Sequence, residues 1–150
     1  MVSPRKPLVI GWKETVDLPE WNLFHILAKA DTGARGSAID VKRLEELPGG
    51  KIEFDVVLDR KDRSMTKRIV AKIWRKTQVK SSNGQAHERY LVKTRMLLGG
   101  IEKEIELSLV NRKSMVCRML IGRTALENVF LVDASKKYLS RSRKKVKLME

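Results

Sequence analysis

The sequence predicts a mainly β domain, a closed barrel or sandwich of short strands with one short helix. Three observations predict it: apolar residues return at every second position in several runs, glycine-bearing turns separate those runs, and helical period is scarce. With 150 residues, 42% of them hydrophobic, the chain is one domain long enough to bury a core. That apolar share excludes a wholly disordered chain, and no window approaches the roughly 18 consecutive apolar residues of a membrane helix.

Taken in order, the stretch before Gly11 holds only the short apolar run Leu8 to Ile10, too short for a secretory core, so a cytoplasmic location without membrane contact is expected. Apolar Ile26, Leu27 and Ala28 form a strand that ends at Asp31, and Ser37-Ala38-Ile39 begins another. Leu47-Pro48-Gly49-Gly50 marks a turn. After it Ile52, Phe54, Val56 and Leu58 alternate with Lys51, Glu53, Asp55 and Val57, the period of a half-buried strand. Asp59 to Ser64 and Ser81-Ser82-Asn83-Gly84 are further turns. Tyr90, Val92, Thr94, Met96 and Leu98 share one face, Gly99-Gly100 gives a two-residue hairpin signal, and Ile101, Ile105, Leu107 and Leu109 share the face that follows. Beyond the turn at Asn111 to Ser114, the apolar run Met119-Leu120-Ile121 leads through Gly122 into a short helix over Arg123 to Asn128.

The formal charge is +14. In the last fifteen residues Lys136, Lys137, Arg141, Arg143, Lys144, Lys145 and Lys147 face only Glu150, so +6 sits there and +8 on the rest. A domain over 1–135 and a flexible basic tail over 136–150 are expected. Such a field attracts polyanions, so nucleic acid, ribosomes and acidic polypeptides are candidate partners, the tail being the candidate for a ribosome or RNA contact. One alternative is therefore a basic β-barrel that binds RNA or the ribosome, with Trp12, Trp21 or Trp74 for base stacking. The 5% aromatic content and the absence of a basic stripe with interleaved aromatics weigh against it.

Cys117, His25 and His87 are too few and too scattered for a soft-ligand metal site, no His-Glu-x-x-His segment occurs, and no Gly-x-x-x-x-Gly-Lys loop is present. Neither a metal nor another cofactor is expected.

The chemistry-bearing segment is Ala30-Asp31-Thr32-Gly33-Ala34. Alone it fits an ordinary turn in which Asp31 accepts backbone N–H bonds and Gly33 takes a positive φ. Some ninety residues later comes Met119-Leu120-Ile121-Gly122-Arg123, an apolar strand, a glycine and an arginine entering the helix. With both segments in this order the chain resembles the retropepsin-like aspartic peptidases. Over Gly11 to Leu139, the runs ADTGARGS, SSNGQ, RMLIGR and FLVD are similar to the bacterial family that carries the name ATP-dependent zinc protease, a family linked to the ligase that adds glutamate tails to a ribosomal protein.

The resemblance implies a closed retropepsin-like barrel and an aspartic endopeptidase. Two carboxyl groups must share one proton in that chemistry, and one chain offers one Asp-Thr-Gly, so a homodimer is implied in which Asp31 of each subunit meets its mate. Asp31, Thr32 and Gly33 are then catalytic, with Thr32 bonding across the interface and Gly33 allowing close approach of substrate. Ala34, Arg35 and a flap carrying Lys80, Ser82, Asn83 and Gly84 would bind substrate, while Gly122 and Arg123 are structural beside the site. Arg35 stands where common retropepsins have an acid. With Arg75, Lys76 and Lys80 it points to an acidic, glutamate-tailed substrate, the alternative for Arg35 being an ion pair with Asp40.

Overall fold

The computed structural model describes residues 6–142. Ten strands are present there: β1 (Leu8–Leu18), β2 (Leu23–Ala30), β3 (Ser37–Leu47), β4 (Lys51–Val57), β5 (Thr66–Lys72), β6 (Arg75–Lys80), β7 (Ala86–Leu98), β8 (Ile101–Val110), β9 (Met119–Ile121) and β10 (Phe130–Lys137). The helix α1 is one turn, Arg123–Leu126, shorter than expected because Glu127 already has extended backbone. Short 3-10 turns stand at Pro19–Trp21 and Leu139–Ser142.

Six strands close the barrel in the order β1, β2, β9, β3, β8, β7 and back to β1. β6 extends it beyond β7, β10 lies beside β1, and off this path β4 pairs with the later part of β3, from Val41 to Leu47, while β5 pairs with β4. Local chemistry sets the hairpins. Gly99 and Gly100 both have positive φ, the type of turn that matches strand twist, and they fix Leu98 opposite Ile101. Gly49 and Gly50 do the same between β3 and β4, opposing Leu47 and Lys51.

The alternating residues face inward as their period requires. Ile52, Phe54 and Val56 on β4, Val92, Met96 and Leu98 on β7, and Leu107 and Leu109 on β8 are buried together with Ile10, Ile39, Met119 and Ile121. Trp21 packs edge-on against Phe54 at 5.4 Å, so it is a core residue and offers no stacking face. Lys137 and Lys93 lie over the rings of Trp12 and Trp74, which covers one face of each.

Two departures concern how the strands pair. Strands at this spacing with hairpin turns suggest antiparallel pairs, yet β1–β10, β2–β9 and β3–β8 run parallel. Parallel pairing joins strands distant in sequence, which no local period can specify. The boundary after residue 135 falls inside β10. That strand continues to Lys137 because its register on β1 does, and Ser140 beyond it is buried against Glu14. Of the tail, Arg143, Lys144, Lys145 and Lys147 lie outside the described residues.

Candidate active site

Asp31 is the first residue past β2, and Ile121 the last of β9. These strands are parallel, with Ala30 opposite Ile121, and the Asp31 N–H donates to the Ile121 carbonyl at 2.8 Å. Both therefore deliver their following loops, 31–36 and 122–124, to the same end of the barrel. The Gly33 N–H donates to Asp31 Oδ1 at 3.0 Å and the Ala34 N–H to the Asp31 carbonyl at 3.2 Å, which folds the loop around the half-buried carboxylate. The other carboxylate oxygen, Oδ2, has no hydrogen-bond partner among the described residues. Gly33 is not in the left-handed region, and a methyl built on it would meet only Asp31 Oδ1, at 3.4 Å.

The second loop clamps the first. Arg123 N–H donates to the Ala34 carbonyl at 2.9 Å, Thr124 N–H to the Arg35 carbonyl at 3.0 Å, and Arg123 Nη1 to the Thr32 carbonyl at 3.1 Å. Gly122 N–H donates to Ser37 Oγ at 3.0 Å, and an added Cβ there would lie 2.3 Å from the Gly36 carbonyl oxygen. Only a residue without a side chain lets the loops approach so closely. Lys103, on β8, holds the far side by donating to the carbonyls of Thr124 and Ala125 at 3.2 and 3.0 Å, and burial holds its ammonium below the usual range.

Arg35 is exposed, and its guanidinium makes no ion pair among the described residues. The alternative partner Asp40 is fully buried and taken: it accepts from Arg118 and Arg63 side chains and from the Arg112 N–H. Arg35 lines a cavity of ≈ 340 Å³ with Ser37, Arg75, Glu104, Glu106 and Thr124. Arg75 is neutralised there by Glu106 at 3.2 Å, and Lys76 pairs with Glu46 at 3.0 Å, so neither is a free cation. The hairpin carrying Lys80, Ser82, Asn83 and Gly84 is exposed, turns at Gly84 with φ +85°, and is stiffened by Asn83 accepting from Ser81 Oγ and the Gln85 N–H. Its base, at Arg75, shares the cavity with Arg35. No hydrogen bond or ion pair among the described residues joins its tip to loop 31–36.

Thr32 is exposed at the edge of a shallow apolar hollow formed with Leu126, Phe130, Leu131 and Val132, where Leu131 is 57% exposed. Sequence reasoning missed Ser37 and Lys103. Ser37 closes the ADTGARGS run and could have been found there, whereas nothing in its neighbours marks Lys103.

Among the described residues no group of three or more His, Cys, Asp or Glu is placed to hold a metal ion. Cys117 is buried and burial raises its thiol pKa. No described helix is long and apolar enough to cross a membrane.

Residues 9–143 match the RimB-like family, described as the retropepsin-like aspartic endopeptidase RimB, a description without the zinc of the earlier name. The chain is 34% identical over 133 residues to a "probable alpha-L-glutamate ligase" of Shewanella pealeana, and 31% identical over 131 residues to one from Parasynechococcus marenigrum. These matches cover 87% and 85% of the chain but only 29% and 28% of those relatives, so it spans less than a third of their length. A solved structure from Legionella pneumophila, of a protein of unknown function, superposes with a TM-score of 0.73 at 22% identity, covering 90% of this chain and 99% of that one. That likeness concerns the fold.

Proposed function

Since the chain belongs to the RimB-like family of retropepsin-like aspartic endopeptidases, we propose that it hydrolyses peptide bonds as a homodimer in which two copies of Asp31 share one proton. The observation that carries this reading is the Asp31 turn: one oxygen is fixed by the Gly33 N–H, the other is unpartnered, and loops 31–36 and 122–124 contain no second acid. The ionised carboxylate takes a proton from water while its protonated mate polarises the scissile carbonyl, and two acids so close titrate as a pair. A second subunit supplies the missing carboxyl. The exposed Thr32 and the apolar hollow from Leu126 to Val132 offer surface beside the turn for that contact.

Arg123 acts as a positioning residue through its bond to the Thr32 carbonyl. The substrate in this reading is an acidic chain, and a glutamate tail fits best. Arg35 is an unpaired guanidinium at the mouth of the cavity, suited to bidentate carboxylate recognition, and Ala34 precedes it on the same loop. The relatives named as glutamate ligases carry a segment similar to this chain within a larger protein, which associates such a domain with glutamate chemistry. Lys80, Ser82, Asn83 and Gly84 form the flap, closing over substrate to exclude water.

The test is cleavage of an α-linked oligoglutamate peptide by the full chain with chelator present, beside Asp31→Asn and Arg35→Gln. Hydrolysis by the wild type, none by Asp31→Asn, and a raised KM in Arg35→Gln are expected. Turnover that survives Asp31→Asn would end the aspartic reading.

A further inference from the structure

At the other end of the β2–β9 pair lies a second cavity, of ≈ 340 Å³, whose wall includes Lys13, His25, Asp59, Arg60, Lys61 and Arg118. His25 belongs to β2 and Arg118 precedes β9. From Leu27 or His25 to Asp31 the strand runs four to six residues, about 13 to 20 Å at the usual rise. The cavity is therefore separate from the Asp31 loop.

Three observations distinguish it from an ordinary solvated run of charge. Lys13, Arg60 and Lys61 make no ion pair among the described residues: Lys13 Nζ lies 6.0 Å from the Tyr138 ring centroid, and Asp59 accepts from the Lys61 backbone N–H. Arg118, its side chain 3% exposed, bonds Asp40 through Nη1 and the Met115 carbonyl through Nη2, yet its buried Nε–H has no acceptor. Cys117 stands in the same wall, and its thiol, pushed up by burial, is pulled down by Lys13, Arg118, Lys29 and Arg60, so positive potential converges on this point. Four cations, Lys13, Arg60, Lys61 and Arg118, line the cavity with one carboxylate, Asp59, a surplus of three that stays three when Asp40, which binds Arg118, is counted with its other partner Arg63.

We propose that this cavity binds a phosphate group. A monoanionic carboxylate neutralises one of the three surplus charges. A phosphate brings close to two negative charges and three or more acceptor oxygens, which suits ammonium and guanidinium donors converging from several strands and turns. The anion also draws the Lys13 side, the Asp59 to Lys61 turn and the segment before β9 together, relieving repulsion that otherwise stands uncompensated. This inference stands apart from the peptidase reading.

Isothermal titration calorimetry of the full chain at constant ionic strength tests it, with inorganic phosphate, pyrophosphate, AMP and glutamate as separate titrants. Saturable one-to-one binding of phosphate or pyrophosphate is expected, weakened about tenfold or more by Arg60→Gln with Lys61→Gln and by Lys13→Gln, and unchanged by Arg35→Gln at the other end. Arg60 and Lys61 are exposed turn residues, so the double variant keeps its melting temperature in chloride buffer. Tighter binding of AMP than of phosphate would assign the group to a nucleotide, and equal or weaker binding to the free ion. The proposal is overturned if no phosphate compound gives saturable heat, if glutamate binds as tightly as phosphate, or if Arg35→Gln weakens binding as much as the double variant.

Discussion

Replacing Gly122 by alanine should cost the protein about 3 kcal/mol, and the structure says why. The new Cβ would lie 2.3 Å from the Gly36 carbonyl oxygen, 2.5 Å from its carbon and 2.9 Å from the Arg35 carbonyl oxygen, all backbone atoms that no rotamer change can move. A carbon and an oxygen rest comfortably at about 3.3 Å or more, so the two loops must part by about 1 Å. That stretches the bonds from Arg123 N, Thr124 N and Arg123 Nη1, now 2.9, 3.0 and 3.1 Å, to about 4 Å, beyond bonding range. Three hydrogen bonds at about 1 kcal/mol each give the figure, which sits at the upper end of typical overpacking costs. In a domain of this size the melting temperature should fall by about 10 °C. Gly122 has φ −90° and ψ 179°, a conformation any residue adopts, so backbone strain contributes nothing. Thermal and urea unfolding followed by circular dichroism would measure it, with Gly33→Ala as the comparison, whose Cβ meets nothing nearer than 3.4 Å. A Gly122→Ala protein melting within about 2 °C of wild type, or a Gly33→Ala protein that falls as far, would refute the steric argument.

Asp40→Ala leaves Arg118 and much of Arg63 buried without their carboxylate, so urea unfolding should reveal a loss of about 3 to 5 kcal/mol, and a loss below 1 would contradict the buried cluster. Glu14, fully buried, accepts from the N–H groups of Gly11, Leu139 and Ser140 and from the Ser140 hydroxyl. Glu14→Ala should therefore release the chain after β10, seen as faster tryptic cleavage at Lys136 and Lys137 and faster amide exchange over 138–142. Unchanged cleavage and exchange would refute that clasp. Burial, then the bond to Glu46, pushes the Tyr90 hydroxyl up to about 12. Because the folded value lies above the unfolded one of about 10, the associated stability is full below pH 10 and is lost as pH rises towards 12. Ultraviolet titration should show a phenol ionising near 12 that Glu46→Gln moves down, and an unmoved titration would count against the bond.

The β7–β8 hairpin was legible in the sequence because apolar residues recur at every second position through most of each strand and the glycine pair between them allows one turn. β1 was not. Its buried Glu14 interrupts the apolar period, and Gly11 reads as punctuation although it lies within the strand, where a Cβ would strike the Lys136 carbonyl oxygen at 2.4 Å. The end of β10 was assigned to the tail because its pairing with β1, rather than its own side chains, carries the strand on to Lys137: only Phe130 among its residues is buried. At the site, the order of Asp31-Thr32-Gly33 and Gly122-Arg123 could be read directly. Their contact could not, since it rests on the parallel register of β2 and β9, nor could Lys103, which stands 21 and 22 residues before the carbonyls it holds.

The barrel is shut by a single residue pair, Asp17 opposite Leu97, where β1 meets β7. Glu20 adds to the seam by accepting from Thr94 Oγ1 and the Arg95 N–H at 3.1 and 3.2 Å. The ring therefore behaves as a ribbon rolled up and fastened with one stitch, and the stitch lies across the barrel from the junction of β9 with β3. Local opening is therefore expected along that seam first, which amide exchange would show as faster exchange at Asp17 and Leu97 than at the β9–β3 junction beside the two clamped loops. A fold built this way can admit solvent to its interior without disturbing the one place where its chemistry is assembled.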